Sequence, residues 1–370
     1  MGQRVVVVGA GYGGTLVAKT LDDLLEVVLI EPKDAFVHAA GALRAVVDPA
    51  WLDRVFFPYD QLLRNGQIIR DRVRLASATR VHLSATESID TDFLVLATGT
   101  SYPFPAKYLE DQVTVAAARL VRTRAALAAS RRVLLVGAGP VGLELAGELT
   151  SAFPHLAVTV VEQGSDILPE GDYLPELRAT VRSQLDDRGV QVVLDSRLGY
   201  LPPVDVGTFA PFTVQTTNGL DIGADIWFRC YGSHPMTDYL DADLARARHA
   251  DGTLSVTSAM SVVGHERVFA IGDITDVRET KRASAARAHA EVVATNIRDL
   301  VEGRTPSAAY TPAPERIVLP LGPDGGASQL SDETGLRTVR GPAETSALKG
   351  VDLMSDAISA VLGRRRARHA

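Results

Sequence analysis

The chain has 370 residues, 46% of them apolar and 22% charged, which is ordinary for a folded globular protein and excludes a wholly disordered chain. The net charge of −7 and the isoelectric point near 5.7 argue against a general nucleic-acid binder. Cys230 is the only cysteine, which excludes an intramolecular disulfide, a redox-active cysteine pair and a cysteine-based metal cluster, and we expect no metal site.

The chain opens with a valine-rich run, residues 4–8, which predicts a strand buried on both faces. A glycine pattern follows over residues 9–14, then apolar residues at helical spacing, then a second strand that ends at Glu31. The valine run is too short for a signal peptide. The sequence contains no run of 18 uncharged apolar residues, so we predict no membrane-spanning helix. We therefore expect a cytoplasmic protein.

Each glycine of this pattern has its own task in holding a dinucleotide. Gly9 makes the turn from strand to helix, Gly11 lets a pyrophosphate approach the backbone, and Gly14 lets the helix pack against the strand. The helix N-terminus offers free N–H groups and a partial positive charge to the phosphates. Since Glu31 can accept hydrogen bonds from a ribose diol, this unit predicts a dinucleotide site.

A second copy of the same pattern follows later in the chain. Its parts are the strand 133–136, the glycines Gly137, Gly139 and Gly142, and a strand over 158–161 that ends at Glu162. Two copies so far apart indicate two nucleotide-binding domains, not a short-period repeat. Glu162 would accept from a ribose 2′-hydroxyl and repel a 2′-phosphate, which favours NADH over NADPH.

Other predicted elements complete the two domains. They are a strand over 93–99 whose turn contains Thr98 and Gly99, a crossing marked by Pro103 and Pro105, a helix over 174–188, a strand over 190–194, strands over 226–232 and 268–273, and a helix over 281–300. Asp273 ends one of these strands, and it can bind the ribityl hydroxyls of a flavin. The following helix would point its positive end at the flavin pyrimidine ring, which favours FAD on the first unit.

Residues 351–362 predict a helix with an apolar face, and a basic run follows at 364–368. An ordinary docking helix and a helix lying on an anionic membrane surface both fit this pattern. Contact with a membrane surface therefore stays open, as does a homodimer.

The fold class that follows is α/β, with two Rossmann-like dinucleotide-binding domains and a C-terminal α+β region. We expect an FAD domain formed by residues 1–105 and 238–305. Residues 106–237 would form the NAD(P)H domain, and residues 306–370 the C-terminal region.

The whole chain resembles the two-dinucleotide-binding, disulfide-reductase-like flavoproteins. Within them it is most similar to the apoptosis-inducing-factor-like mitochondrion-associated 2 group, also called ferroptosis suppressor proteins, which are related to the type II NADH dehydrogenases. The stretches that carry the resemblance are 5–14, 36–45, 96–99, 136–148, 268–273, 288–297 and 322–330. The resemblance implies FAD enzymes that oxidise NAD(P)H and reduce quinones.

Carried over residue by residue, the resemblance places Arg44 at the FAD pyrophosphate, Val73 on the adenine side, Asp273 at the ribityl chain and Glu144 beside the nicotinamide. The family has a lysine a few residues after an Asp-Leu-Phe-like triplet. This chain has none after its own triplet at 352–354.

Three further residues have two interpretations each, and one has a single interpretation. His38 stands where single-cysteine members carry their cysteine, so it either faces the flavin or packs, and His289 is either structural or functional. Lys281 either contacts the flavin C2 carbonyl or a substrate oxygen, or is solvated. Cys230 is expected to be a small core residue, which excludes a thiol mechanism.

The leading hypothesis is an FAD-dependent oxidoreductase that takes hydride from NADH and passes electrons to a quinone or another small aromatic acceptor. A biosynthetic flavin-dependent oxidase or dehydrogenase on the same scaffold is one alternative. A redox-sensing flavoprotein with little turnover is another.

Overall fold

The computed structural model describes residues 2–363. The first part of the chain forms a helix-rich layer on a parallel sheet, with small antiparallel sheets beside it. Its elements are β1 (Arg4–Val8), α1 (Tyr12–Leu21), β2 (Glu26–Ile30), β3 (Ala35–Val37), α2 (Ala39–Val47), α3 (Leu52–Val55), β4 (Phe56–Pro58), β5 (Gln67–Ile69), β6 (Leu75–Ser77), β7 (Arg80–His82), β8 (Ser88–Asp90), β9 (Phe93–Leu96) and β10 (Thr100–Ser101).

The middle of the chain forms a second unit of the same kind. Its elements are α4 (Val113–Ala129), β11 (Arg132–Val136), α5 (Pro140–Ala152), β12 (Ala157–Val161), α6 (Pro175–Asp187), β13 (Gln191–Val193), β14 (Phe212–Gln215), β15 (Asp221–Ala224), β16 (Ile226–Arg229) and β17 (His234–Pro235). The chain then returns to the first sheet with β18 (Val268–Ala270) and α7 (Ala283–Val301).

Two parallel sheets form the core of the molecule. The first has the strand order β18-β9-β1-β2-β5, and the second has the order β13-β12-β11-β16. The valines and leucines of β1 and β11 are almost fully buried, because helices or hairpins cover both faces of each sheet. In both sheets the first strand of the glycine unit has partners on either side. A doubly wound sheet binds its ligands at the carboxyl end of such a strand.

The prediction of an α/β fold with two Rossmann-like units is confirmed. The helix predicted over 281–300 is observed at Ala283–Val301, and that predicted over 174–188 at Pro175–Asp187. The two units are joined where β10 pairs with β17 in an antiparallel ladder. Because this crossing lies close to residues 105 and 237, we propose those positions as the domain boundaries.

The C-terminal region is an antiparallel sheet with short helices, as the α+β prediction requires. It consists of β19 (Ile317–Leu321), β20 (Gly325–Ser331), β21 (Arg337–Arg340), α8 (Pro342–Thr345), a π-helical turn (Ser346–Gly350) and α9 (Ser355–Val361). Its apolar strands pack on the second unit, where Leu319 and Leu321 join the same core as α5 and α6.

The prediction of a continuous helix over 351–362 is wrong, because the helix α9 covers only Ser355–Val361. Leu353 and Met354 have left-handed backbone conformations, with φ of 49° and 66°, and α9 begins only at Ser355. Leu353 is buried, whereas Val351 and Met354 are exposed, so the expected apolar face does not form. The basic residues 364–368 lie outside the described part of the chain.

A buried ion pair joins the two domains to the C-terminal region. Arg44 on α2 donates from Nε and Nη2 to the carboxylate of Glu148 on α5, at 2.8–3.0 Å, and both side chains are about 95% buried. Its Nη1 donates to the carbonyls of Gly350 and Val351 at 2.6 and 3.2 Å. The guanidinium also lies over the ring of Trp51. Burial raises the pKa of Glu148, and the hydrogen bonds and positive charge of Arg44 offset only part of this increase.

Breaking this pair from one side should destabilise the protein strongly. Arg44→Met leaves the Glu148 carboxylate buried without its cation, so the free energy of unfolding should fall by about 3–5 kcal/mol. Adding Glu148→Leu should restore part of that loss. Chemical denaturation of the two single variants and the double variant measures the interaction. Arg80→Met, which breaks an exposed ion pair with Asp90, is the control. An Arg44→Met protein as stable as this control would contradict the assignment.

Candidate functional site

A cavity of about 560 Å³ lies along the carboxyl edge of the first sheet. Much of its lining comes from the segments that directly follow β1, β2, β9 and β18, together with the start of α7. Of the residues predicted for the first cofactor, those that line it are Gly9, Gly11, Gly14, Glu31, Val73, Thr98, Gly99, Asp273 and Lys281. Residues far apart in sequence thus meet at one sheet edge, as expected for parallel strands.

The glycine turn after β1 has the geometry of a pyrophosphate cradle. Gly9 has φ of +100°, and an added Cβ would lie 2.5 Å from the carbonyl oxygen of Ala97. At Gly14 an added Cβ would lie 1.9 Å from the carbonyl oxygen of Gly9, whereas at Gly11 it would meet no atom within 4 Å. The first and third glycines are therefore required by packing. The second faces open space in which a phosphate group fits.

Glu31 holds this turn from the end of β2. Its Oε2 accepts from the N–H of Ala10 at 2.8 Å, and its Oε1 accepts from the N–H of Lys33 at 3.0 Å. The carboxylate lines the cavity and keeps further lone pairs for a ribose diol. Val73 lines the same cavity.

Asp273 stands at another part of the cavity. Its Oδ2 accepts from Thr100 Oγ1 at 3.0 Å and lies 3.3 Å from Lys107 Nζ, and its side chain is 24% exposed. This carboxylate can accept hydrogen bonds from hydroxyl groups of a bound ligand. Lys281 also lines the cavity, where its Nζ donates to the carbonyls of Thr275 and Val277 at 2.7 and 3.0 Å. Burial lowers the pKa of Lys281.

The second glycine turn repeats the geometry of the first. Gly137 has φ of +108°, and an added Cβ at Gly142 would lie 2.0 Å from the carbonyl oxygen of Gly137. Gly139 faces open space, like Gly11. Glu162 is buried, and its two carboxylate oxygens accept from the N–H groups of Ala138 and Gly164 at 2.7 and 2.8 Å. The turn before α5 thus has the same backbone geometry as the turn before α1.

Two of the residues predicted to contact the flavin do not line the first cavity. Arg44 has its guanidinium occupied by Glu148 and by two backbone carbonyls, so it belongs to the joint between domains and not to the expected pyrophosphate contact. His38 is 1% exposed: Tyr12 Oη lies 2.9 Å from its Nδ1, and the carbonyl of Leu353 lies 2.7 Å from its Nε2. Since a carbonyl only accepts, Nε2 carries the proton and Nδ1 accepts from the hydroxyl.

This environment makes His38 a neutral structural contact. Burial lowers the pKa of His38 to about 4, so the ring is uncharged near pH 7. The histidine connects Tyr12, which does line the cavity, to the C-terminal region. The packing interpretation of His38 therefore fits the structure better than direct contact with the flavin.

Glu144, expected beside the nicotinamide, is paired with a lysine that sequence reasoning missed. Its Oε1 accepts from Lys349 Nζ at 2.7 Å, and both side chains are mostly buried. Lys349 precedes the triplet at 352–354, whereas the resemblance directed attention to residues after it. Lys107 and Thr100, which hold Asp273, were also missed, because no local motif marks them. Tyr12 could have been found, since it lies inside the first glycine pattern.

Cys230 directly follows β16 and is 4% exposed. Its backbone N–H donates to Val136, and its sulfur lies among core residues of the second unit. Burial raises the pKa of the thiol to about 12, which keeps it protonated and poorly nucleophilic. Within residues 2–363 we find no group of three side chains that could hold a metal ion and no helix long and apolar enough to cross a membrane.

The pyridine nucleotide-disulphide oxidoreductase family matches residues 3–291, which include both glycine turns and Asp273. The chain belongs to this family. Its members are FAD-dependent NAD(P)H oxidoreductases, and the two turns described above fit these two dinucleotides.

Curated relatives match over most of the chain. The apoptosis-inducing factor homolog A of Dictyostelium discoideum is 30% identical over 350 residues, which cover 89% of this chain and 85% of the relative. The ferroptosis suppressor protein 1 of Homo sapiens is 30% identical over 338 residues, covering 89% and 88%. These findings confirm the predicted resemblance.

Solved structures share the fold at low sequence identity. The sulfide:quinone oxidoreductase of Aquifex aeolicus superposes with a TM-score of 0.76 at 16% identity, covering 98% of this chain and 92% of that one. The putidaredoxin reductase of a covalent complex with putidaredoxin gives 0.70 at 20% identity, with coverage of 89% and 81%. The NAD-dependent persulfide reductase from A. fulgidus gives 0.70 at 19% identity, with coverage of 90% and 65%.

Removing the Asp273 carboxylate should weaken flavin retention. Asp273→Ala loses a charged acceptor for ligand hydroxyls, which is typically worth about 1.5–3 kcal/mol. We expect a lower flavin-to-protein ratio after purification and a higher Kd for FAD, both measured by absorbance and fluorescence. Asp276→Ala is the matched control, because that carboxylate binds Ser255 and Val256 and does not line the cavity. Equal flavin retention in both variants would contradict the role of Asp273.

Proposed function

We propose that the chain is an NADH:acceptor oxidoreductase whose acceptor is a quinone or another small aromatic molecule. In this proposal FAD occupies the cavity of the first domain, and NADH binds over the second glycine turn. The chemistry that FAD supplies when bound is two-electron transfer between a nicotinamide and an acceptor. The single observation that carries the choice of acceptor is the burial of the only thiol.

Cys230 supports direct transfer to a small acceptor. A dithiol or persulfide route needs an accessible thiolate next to the flavin site, whereas the thiol of Cys230 is buried in the second domain with its pKa raised to about 12. The segment 36–44, where other members of the superfamily place a cysteine, has none. Electrons would therefore leave without a protein sulfur, and planar acceptors such as quinones suit that route.

The residues around the cavity act by positioning. Gly11 would admit the pyrophosphate, Glu31 would accept from the adenosine ribose, and Asp273 would accept from the ribityl hydroxyls. Lys281 would lie with the start of α7 near the pyrimidine ring, where positive charge favours the reduced flavin. Hydride transfer requires no protein acid or base, so proximity and orientation are the contribution of the chain.

The acceptor side involves the C-terminal region in this proposal. Residues 349–353 contact both domains through three polar links, which are Lys349 to Glu144, Arg44 to the carbonyls of Gly350 and Val351, and His38 to the carbonyl of Leu353. The apolar side chains of Leu348, Val351 and Met354, which lie within or next to this segment, are exposed. An apolar acceptor has contact surface there.

Steady-state oxidation of NADH with a panel of acceptors tests this function. We expect rapid turnover with short-chain quinones and slow turnover with disulfides, persulfides and oxygen. Cys230→Ser should keep kcat with quinones within about twofold, with only a modest loss of thermal stability. Turnover that is indifferent to quinones, or a hundredfold loss in a folded Cys230→Ser protein, would overturn the proposal.

The preference for NADH should depend on Glu162. A ribose 2′-phosphate placed at this carboxylate meets like charge in a partly buried site, at a cost of about 1–4 kcal/mol, or roughly ten- to a thousandfold in kcat/KM. We expect Glu162→Ala to reduce the difference in kcat/KM between NADH and NADPH, mainly by raising kcat/KM for NADPH. Glu162→Arg should reverse the preference. The measurement is kcat/KM for each cofactor with one fixed acceptor.

Because Glu162 also binds two backbone N–H groups, its variants need a charge control. Glu162→Gln keeps a side-chain oxygen for one of those bonds and removes the charge. It should therefore also reduce the difference in kcat/KM between NADH and NADPH. Asp166→Asn removes a carboxylate from the same loop, one that is paired with Arg182. It should leave the ratio of kcat/KM for NADH and NADPH unchanged. Equal use of both cofactors by the unmodified protein would refute the preference.

A further inference from the structure

A buried histidine outside the cavity contacts the strand end that carries Asp273. His289 lies on α7 and is 1% exposed. Its Nδ1 accepts a hydrogen bond from the N–H of Gly272 at 3.0 Å, and its Nε2 lies 2.9 Å from Glu279 Oε1. Gly272 lines the cavity, but its N–H points back towards α7.

The surroundings of His289 determine its tautomer. A ring nitrogen that accepts from a backbone N–H carries no proton, so the N–H of the neutral ring is on Nε2, the nitrogen nearest to Glu279. Tyr310 donates from its hydroxyl to Glu279 Oε2 at 2.6 Å, and its ring packs edge-on against the imidazole. Burial would raise the pKa of Glu279, but the nearby imidazole of His289 and the hydrogen bond from Tyr310 outweigh that effect and lower the pKa. The ring is thus held in one orientation.

The peptide held by His289 directly precedes Asp273. Gly272 has φ of +72°, a left-handed conformation from which the chain turns directly into Asp273. The carboxylate of Asp273 is held at its other end by Thr100 and Lys107. Contacts therefore hold this short segment at both ends, the Gly272 N–H at one end and the Asp273 carboxylate at the other.

We propose that His289 is a positioning residue for the flavin. By accepting from the N–H of Gly272 it fixes that peptide and directs Asp273 at the ribityl hydroxyls of FAD. The inference rests on the assignment of FAD to this cavity. Packing alone would require neither an acceptor at Nδ1 nor a carboxylate at Nε2.

Three substitutions separate positioning from packing. His289→Asn places its Oδ1 close to where Nδ1 was and can still accept from Gly272, whereas His289→Leu fills the space without an acceptor. His289→Gln is polar, but its oxygen corresponds to Nε2 and does not reach Gly272. We measure the Kd for FAD by flavin fluorescence on flavin-depleted protein, and the visible circular dichroism of the bound flavin.

The leucine and glutamine variants should bind FAD about tenfold more weakly and show an altered flavin dichroism, while the asparagine variant stays within about threefold of the unmodified protein. If the leucine variant does not fold, the glutamine variant alone tests the loss of the acceptor at Nδ1. Asn296→Leu is the matched control on the same helix, since Asn296 is fully buried and binds backbone of Ala259 and Ala308 away from the cavity. It should lower Tm and leave the Kd for FAD unchanged.

Two results would overturn the inference. One is unaltered FAD binding in both the leucine and glutamine variants, and the other is an asparagine variant that binds as weakly as they do. Failure of the unmodified protein to bind FAD is distinct, because it would refute the cofactor assignment itself. That measurement therefore comes first.

Discussion

The hydrogen bond that a strand-end carboxylate accepts from the backbone of a glycine turn is the contact on which both nucleotide sites depend. Glu31 accepts from Ala10 at 2.8 Å in the first domain, and Glu162 accepts from Ala138 at 2.7 Å in the second. In each case the other carboxylate oxygen accepts from the loop that follows the strand. The carboxylate thus fixes the turn and the loop together, and the second glycine of each turn keeps its open face. The acid that would contact a ribose also builds the site that receives the phosphates.

The C-terminal region depends on a second set of contacts, which join all three parts of the molecule. Arg44 is central, because one guanidinium satisfies a carboxylate of the second domain and two carbonyls of the C-terminal region. A buried cation whose three nitrogens all have hydrogen-bond partners defines a geometry more strictly than apolar packing does. The placement of residues 349–353 beside both domains is a consequence of these bonds.

Titratable groups near the sites are held in fixed states. His38 is neutral because burial lowers its pKa to about 4, and the thiol of Cys230 stays protonated because burial raises its pKa to about 12. Neither group can serve as an acid or a nucleophile near neutral pH. The charged side chains of Glu31, Asp273 and Lys281, which do line the cavity, are oriented by hydrogen bonds. An enzyme built in this way contributes binding and alignment and leaves the electron chemistry to its cofactor.

Local pattern was enough to predict both glycine turns, the strand-end acids Glu31 and Glu162, and the helices over 174–188 and 281–300. Those features depend on residues within one strand–helix–strand unit, where burial periodicity and glycine conformations act over short distances. The role of Arg44 was beyond such reasoning, because its partner Glu148 lies 104 residues away. The same holds for Lys349 with Glu144, and for Lys107 with Asp273.

The segment 351–362 shows most clearly where local pattern stops being sufficient. Its apolar spacing is helical, yet Leu353 and Met354 adopt left-handed backbone conformations, with Leu353 buried and its carbonyl bound to His38. A contact between residues 315 positions apart outweighs the preference of a short helix, whose stability in isolation is marginal. The sequence alone therefore determined the two nucleotide folds, while long-range polar contacts decided how they are joined and which side chains reach the sites.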